Sequence, residues 1–154
     1  MKRSAGILPY KIEDGKVKVY LEHPGGPYWA GKDKWSICKG EYKNESATQA
    51  ALREFYEESG HKILEEEIAY LGGCKQKSKK LVNIFLVNKD LDTKNIKSNT
   101  FKKEWPPGSS QILEFAEMDQ AEWFDLETAY QKIFLGQKYF LRKLERYLEE
   151  KKYL

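Results

Sequence analysis

Between Gly40 and Gly60 the chain gathers an arginine and several glutamates: Glu45, then Arg53-Glu54-Phe55-Tyr56-Glu57-Glu58-Ser59. Glu54, Glu57 and Glu58 stand at i, i+3 and i+4, positions that meet on one side of a helix. Like charges so placed repel, by a few tenths of a kcal/mol per pair. A cation relieves that repulsion. Arg53 is one candidate and a divalent metal is another. Clustered carboxylate oxygens are hard ligands and suit Mg²⁺, which prefers carboxylates together with substrate phosphates and water.

The apolar stripe of this helix is Ala47, Ala51 and Phe55. At about 100° per residue, Glu54 and Glu58 fall beside the stripe and Glu57 lies further round, adjoining Glu54. An ordinary amphipathic helix directs its carboxylates away from the core. Carboxylates bordering a packed face need a partner. On spacing alone, a metal site and a solvated helix face both stay open.

The elements that must position these residues can be read from the pattern around them. Ser4 to Tyr10 reads as a buried strand and Asp14-Gly15 as a turn. Lys16 to Glu22 alternates as a half-buried strand does. His23-Pro24-Gly25-Gly26-Pro27 ends it, and a loop with Tyr28 and Trp29 follows. Trp35 to Cys38 is short and extended. The helix runs from Glu45 or Ser46 to Ser59, with Gly60 as its C-cap glycine. Ile68 to Leu71 and Leu81 to Val87 read as strands, Thr100 to Trp105 as a weaker one, Pro106 to Ser110 as a loop, and Trp123-Phe124 as a last short strand. Two helices close the chain on either side of Gly136. The first carries Leu126, Ala129, Tyr130 and Ile133. The second carries Phe140, Leu141, Leu144, Tyr147 and Leu148. Helices between and after strands predict an α/β or α+β domain with a mixed sheet.

The glutamate segment resembles the Nudix box: Gly, five residues, Glu, seven residues, then Arg-Glu-apolar-any-Glu-Glu-any-Gly-apolar. Glu45, seven residues, and Arg53 to Gly60 match that half of the pattern fully. Two positions depart from it: four residues, not five, separate Gly40 from Glu45, and the closing apolar position is His61. The likeness extends to Ala5-Gly6 before the box, Trp35-Ser36-Ile37 leading into it and Ala121-Glu122-Trp123-Phe124 late in the chain. It implies a Nudix-type α/β/α sandwich around a mixed sheet, formed by residues 1–154 as one domain.

The resemblance implies a chemistry. Nudix hydrolases cleave a nucleoside diphosphate linked to another moiety by attack of water on phosphorus, with Mg²⁺ or Mn²⁺. A diphosphate repels an anionic nucleophile, so a metal that neutralises charge and activates water suits the reaction. Carried over by position, Glu57, Glu58 and Glu54 are metal ligands, joined by the main chain at Gly40. Glu54 doubles as the base, Arg53 orients a glutamate, and Glu45 steadies the start of the helix. Arg53, Glu54 and Glu57 form the catalytic set. Lys39, Glu45 and a late acidic residue are assigned to the substrate. For that residue Glu114 and Glu117 are the candidates, and Glu114 is preferred. Lys39-Gly40 is similar to the Lys-Gly of Nudix hydrolases acting on dinucleoside polyphosphates and inositol polyphosphates. Nucleoside triphosphates and nucleotide sugars stay open. A nucleotide-binding module that has lost turnover through the shortened loop is the alternative.

Composition sets the remaining bounds. The chain has 154 residues, 40% hydrophobic, 33% charged and 14% aromatic, with a net charge of +3. That describes a globular domain. The mild positive charge suits an anionic small molecule and is too weak to argue for nucleic acid. The length leaves no room for the DNA-binding domain of a Nudix regulator. No apolar run approaches the roughly 18 residues of a membrane span, and the start lacks the apolar core of a secretory signal. A cytoplasmic monomer or homodimer is the expectation. Cys38 and Cys74 have no metal-type spacing and read as buried, reduced thiols. Lys75-Gln76-Lys77-Ser78-Lys79-Lys80 reads as a charged hairpin turn rather than a phosphate contact. Tyr28, Trp29, Tyr42 and Trp105 fall in expected loops, where an aromatic ring can stack on a base. His23 reads as a turn residue.

Overall fold

The computed structural model describes residues 1–77 and 79–152. Eight strands and three helices follow in the order β1 (Arg3–Glu13), β2 (Lys16–Pro24), β3 (Cys38–Tyr42), α1 (Ala47–Ser59), β4 (Ile68–Lys75), β5 (Leu81–Asn88), β6 (Thr100–Glu104), β7 (Ile112–Ala116), β8 (Met118–Asp125), α2 (Leu126–Lys132) and α3 (Lys138–Glu150). The main sheet runs β4-β5-β1-β2-β8, with β3 also paired to β1. It is mixed, because β1 and β5 are parallel while the other pairs are antiparallel. β6 and β7 form a separate hairpin.

Side-chain alternation along the strands divides the core into two layers. Leu8 and Tyr10 of β1, Val17, Val19 and Leu21 of β2, and Val82, Ile84 and Leu86 of β5 pack beneath Ala129 of α2 and Phe140, Leu141, Leu144 and Leu148 of α3. Ala5, Ile7, Tyr20, Phe85 and Val87 face the other way and pack beneath Ala50, Ala51 and Phe55 of α1. The result is the expected α/β/α sandwich.

Strand β1 is shared along its length. Its first half, Arg3 to Ile7, pairs with β3, and its second half, Tyr10 to Glu13, pairs with β2. This division brings β3 and its Lys39-Gly40 beside the start of the sheet, directly under α1. Gly6 makes the approach possible: a Cβ there would lie 2.2 Å from the Cys38 carbonyl oxygen and 2.9 Å from the Lys39 Cα.

Three expectations change. The expected loop at Gly40 and Tyr42 is the body of β3, with Tyr42 buried. The weak Thr100–Trp105 segment is a strand, Thr100–Glu104, that gains its partner from Ile112–Ala116. The late Trp123-Phe124 strand is eight residues long and begins at Met118. The lysine-rich segment joins β4 to β5, and its Ser78 lies outside the described residues. Among the described residues no helix is long and apolar enough to cross a membrane.

Candidate active site

Helix α1 begins at a capping box. Ser46 accepts a hydrogen bond from the Gln49 amide, and the Gln49 side chain accepts one from the Ser46 amide. It ends at Gly60, whose φ of 82° is the left-handed conformation that glycine adopts without strain. These two stops fix the ends of the helix, and burial of Ala50, Ala51 and Phe55 against the sheet sets its rotation. Glu58 is then buried at 8% exposure, Glu54 half-buried and Glu57 further out. The order agrees with the angular reading of the sequence.

Arg53 ties the acidic residues together. Its Nε donates to Glu45 Oε1 at 2.8 Å and its Nη2 to the same oxygen at 2.5 Å. Its Nη1 donates to Glu54 Oε1 at 2.9 Å and to Glu57 Oε2 at 3.0 Å. One guanidinium therefore joins the segment before the helix to one turn of the helix itself. Charge-assisted bonds of this kind carry orientation as well as energy. The four residues between Gly40 and Glu45, of which Glu41 and Tyr42 belong to β3, already bring Glu45 within reach of Arg53.

Glu54, Glu57, Glu58, Lys39, Gly40, Glu41, Asn99, Thr100 and Glu117 line one cavity of about 530 Å³. The Glu54 carboxylate rests against Gly40, where a side chain would occupy the same space. Burial raises the Glu54 pKa despite the opposing hydrogen bond from Arg53. Burial, reinforced by the charges of Glu54 and Glu117 and opposed by a hydrogen bond from Cys38, pushes Glu58 up to about 7. Lys39 is lowered from its ordinary value, first by burial and then by Lys80.

Glu117, not Glu114, completes the acidic wall. Glu114 is exposed on β7 and paired in register with Lys102. Glu117 occupies the step between β7 and β8, anchored by its amide on the Asn99 carbonyl and its carbonyl on the Gly25 amide. With β7 unrecognised in the sequence, nothing distinguished a strand residue from the residue at the strand's end.

A second cleft of about 380 Å³ lies alongside. It is lined by Pro24, Gly25, Gly26, Pro27, Tyr28, Trp29, Ser36, Phe101, Lys103 and Met118, together with Lys39, Glu58 and Glu117. The last three residues belong to both cavities. Tyr28 and Trp29 meet edge to face at 4.7 Å. Phe101 and Lys103, which sequence reasoning passed over, reach the cleft from the β6–β7 hairpin. Tyr42 and Trp105 are not on its wall. His23 is held by Asp119 and the Lys32 carbonyl. Cys38 is buried, whereas Cys74 is only partly so, and both are free thiols.

The donor set fits a hard dication. Five glutamates (Glu41, Glu54, Glu57, Glu58 and Glu117) border one cavity that a single cation, Lys39, also lines. The Gly40 Cα leaves room for the Glu54 carboxylate, and Glu58 is held partly protonated by burial and by its anionic neighbours. A divalent cation bound by oxygen ligands removes that penalty.

A family model described as NUDIX domain matches residues 2–144. No curated protein sequence matches the chain. Among solved structures, an Ap4A hydrolase from C. elegans in a binary complex superposes with a TM-score of 0.66 at 22% identity, covering 97% of this chain and 99% of its own. The NUDIX domain of Shewanella oneidensis NrtR in complex with ADP ribose superposes at 0.66 and 13% identity, covering 95% and 87%. The E. coli ORF135 protein superposes at 0.54 and 19% identity, covering 97% and 92%. At these identities the likeness establishes the fold.

Proposed function

We propose, since this chain belongs to the NUDIX-domain family, that it is a metal-dependent pyrophosphohydrolase of a nucleoside diphosphate linked to another moiety. One observation carries the reading. The acidic cavity and the aromatic cleft share Lys39, Glu58 and Glu117 as walls. An anhydride bound at the shared wall has its phosphates beside the glutamates and an attached ring beside Tyr28, Trp29 and Phe101. Aromatic–base stacking contributes about 1–3 kcal/mol per base.

Glu54, Glu57 and Glu58, with the main chain at Gly40, are the residues that would hold Mg²⁺ or Mn²⁺. When bound, such an ion neutralises phosphate charge and lowers the pKa of water. The protein's own residues supply the rest. Arg53 holds Glu54 and Glu57 in place by hydrogen bonds from one nitrogen. Glu54, half-buried and raised in pKa, is placed to take the proton from the attacking water; a base whose pKa lies nearer the working pH transfers it most efficiently. Lys39 and Lys103 offer positive charge to the phosphates. Glu117 adds a carboxylate from the side opposite α1.

The similarity to an Ap4A hydrolase supports starting with dinucleoside polyphosphates. The test is a panel of dinucleoside polyphosphates, nucleoside triphosphates and nucleotide sugars, each with Mg²⁺ and with Mn²⁺, with the nucleotide products resolved by chromatography. Hydrolysis that requires the metal is expected. Tight nucleotide binding without turnover by any member of the panel would instead assign a binding module.

A further inference from the structure

Beneath α1 lies a group of which the hydrolytic reading uses only Glu58. Glu22 of β2, Cys38 of β3 and Glu58 of α1 each point a ligand atom into one space, and those atoms lie within 4.8 Å of one another. Glu22 is fully buried, and among the described residues no hydrogen bond of ordinary length and angle reaches either carboxylate oxygen, although the Cys38 thiol and the Tyr20 hydroxyl lie near enough to act on it. The Tyr20 hydroxyl, on the same face of β2, is buried and makes no such bond either. The Cys38 Sγ donates to Glu58 Oε2 at 2.8 Å.

A fully buried carboxyl without a well-formed hydrogen bond is costly, by several kcal/mol if ionised. Among apolar neighbours a valine would fill the same strand position at no such cost. Burial and the neighbouring Glu58 charge raise Glu22 well above the ordinary carboxylate range, and burial with both glutamates does the same to the Cys38 thiol.

We propose that Glu22, Cys38 and Glu58 form a second metal site, specific for a thiophilic dication of the Zn²⁺ class, which shares Glu58 with the Mg²⁺-type cavity and adds Glu22 and Cys38. Zn²⁺ takes both cysteine thiolate and glutamate oxygen as ligands, and three protein ligands leave its fourth position open. With Zn–S about 2.3 Å and Zn–O about 2.0–2.2 Å, tetrahedral geometry sets donor separations near ~3.5 Å. The sulfur gives the selectivity, since Mg²⁺ favours oxygen ligands and thiolate favours softer ions. Entry runs through Glu58, which also lines the outer cavity.

Co²⁺ is the probe, because cobalt–thiolate bonding produces a near-ultraviolet charge-transfer absorption that carboxylate ligation lacks. Titrating the reduced full chain with Co²⁺ should produce that band, and Zn²⁺ should abolish it by displacement. Cys38→Ser should lose the band, whereas Cys74→Ser should keep it. Glu22→Gln should lose or strongly weaken it while the melting temperature without metal stays level or rises. That last measurement separates a lost ligand from a lost fold. No band in the unaltered chain, or a band that survives Cys38→Ser, overturns the proposal. The readout needs no turnover, so its failure leaves the hydrolase reading untouched, and an inactive substrate panel leaves the band untouched.

Discussion

The Glu54 carboxylate lies against the Gly40 α-carbon: a β-carbon built on Gly40 would fall 2.1 Å from the Glu54 carboxyl carbon and 2.2 Å and 2.4 Å from its oxygens. The glycine that opens the box is thus the floor on which the central glutamate of the helix rests. Its role here is close approach rather than an unusual backbone angle.

Gly40→Ala should therefore damage activity more than stability. The methyl group displaces a side chain, which can swing away, so the fold is retained. A misplacement of about 1 Å at a reacting group can cost on the order of 10²-fold in rate. Steady-state kinetics beside circular dichroism tests this. Activity equal to that of the unaltered protein would mean that Glu54 works from a different position.

The glutamates should separate by role. Glu57→Gln and Glu58→Gln keep shape but remove a ligand charge, and raising the metal concentration should partly restore each. Glu54→Gln should lower kcat by about 10²–10⁴-fold with little change in substrate binding, as loss of a general base does. Glu149→Gln, in the exposed C-terminal charge run, is the control. If all three variants match it, the helix is a solvated face and the hydrolase reading falls.

Arg53 offers a sharper test of the short loop. It bridges Glu45, Glu54 and Glu57 with three nitrogens. Lysine keeps the charge but cannot span three partners. Arg53→Lys should reduce kcat substantially with only a small change in melting temperature. Because Glu45 is already in reach, inserting a glycine after Asn44 should weaken metal binding, measured by titration calorimetry. Strengthened binding would show that the native loop is too short.

Much of this arrangement was legible in the sequence. The capping serine, the terminal Gly60 and the i, i+3, i+4 carboxylates are local signals, and α1 formed where they placed it. The edge position of Glu58 followed from angular spacing alone. What depends on distant pairing was not legible. β7 is a short, mostly apolar stretch, Ile112-Leu113-Glu114-Phe115-Ala116, exposed along much of its length, so it shows no alternation between a buried and a solvated face, and only its pairing with β6 defines it. That hidden strand is why Glu117 was passed over for Glu114 and why Phe101 and Lys103 were not linked to the site. Glu22 looked like the polar member of an alternating strand, but α1 covers that face.

The late acidic residue can be settled by a matched pair. Glu117 lines both cavities, whereas Glu114 faces Lys102 on the hairpin. Glu117→Gln should lower activity or raise the metal requirement, and Glu114→Gln should not. Equal losses in both would indicate that the hairpin as a whole, rather than one carboxylate, matters to turnover.

Stability should depend on pH in a direction set by Glu58. Its pKa is raised from the ordinary 4.5 to about 7, chiefly by burial. A carboxyl raised in the folded state binds its proton more tightly there than in the unfolded chain. The native state therefore holds more protons between those two values, and stability falls as pH rises through that window, levelling above it. The shift corresponds to on the order of 3 kcal/mol before any relaxation of the site. Glu22, raised in the same sense, extends the decline upward. The carboxylates with lowered values, Asp33, Asp92 and Asp125 among them, act in the opposite sense but only below their ordinary value of 3.8. Thermal melts in chelator from about pH 5 to about pH 7.5 should show the fall. Glu58→Gln should flatten part of it, and saturating Mg²⁺ should reduce it by stabilising the ionised form. A melting temperature that rises with pH across this interval in chelator would contradict the buried, anion-crowded setting assigned to Glu58.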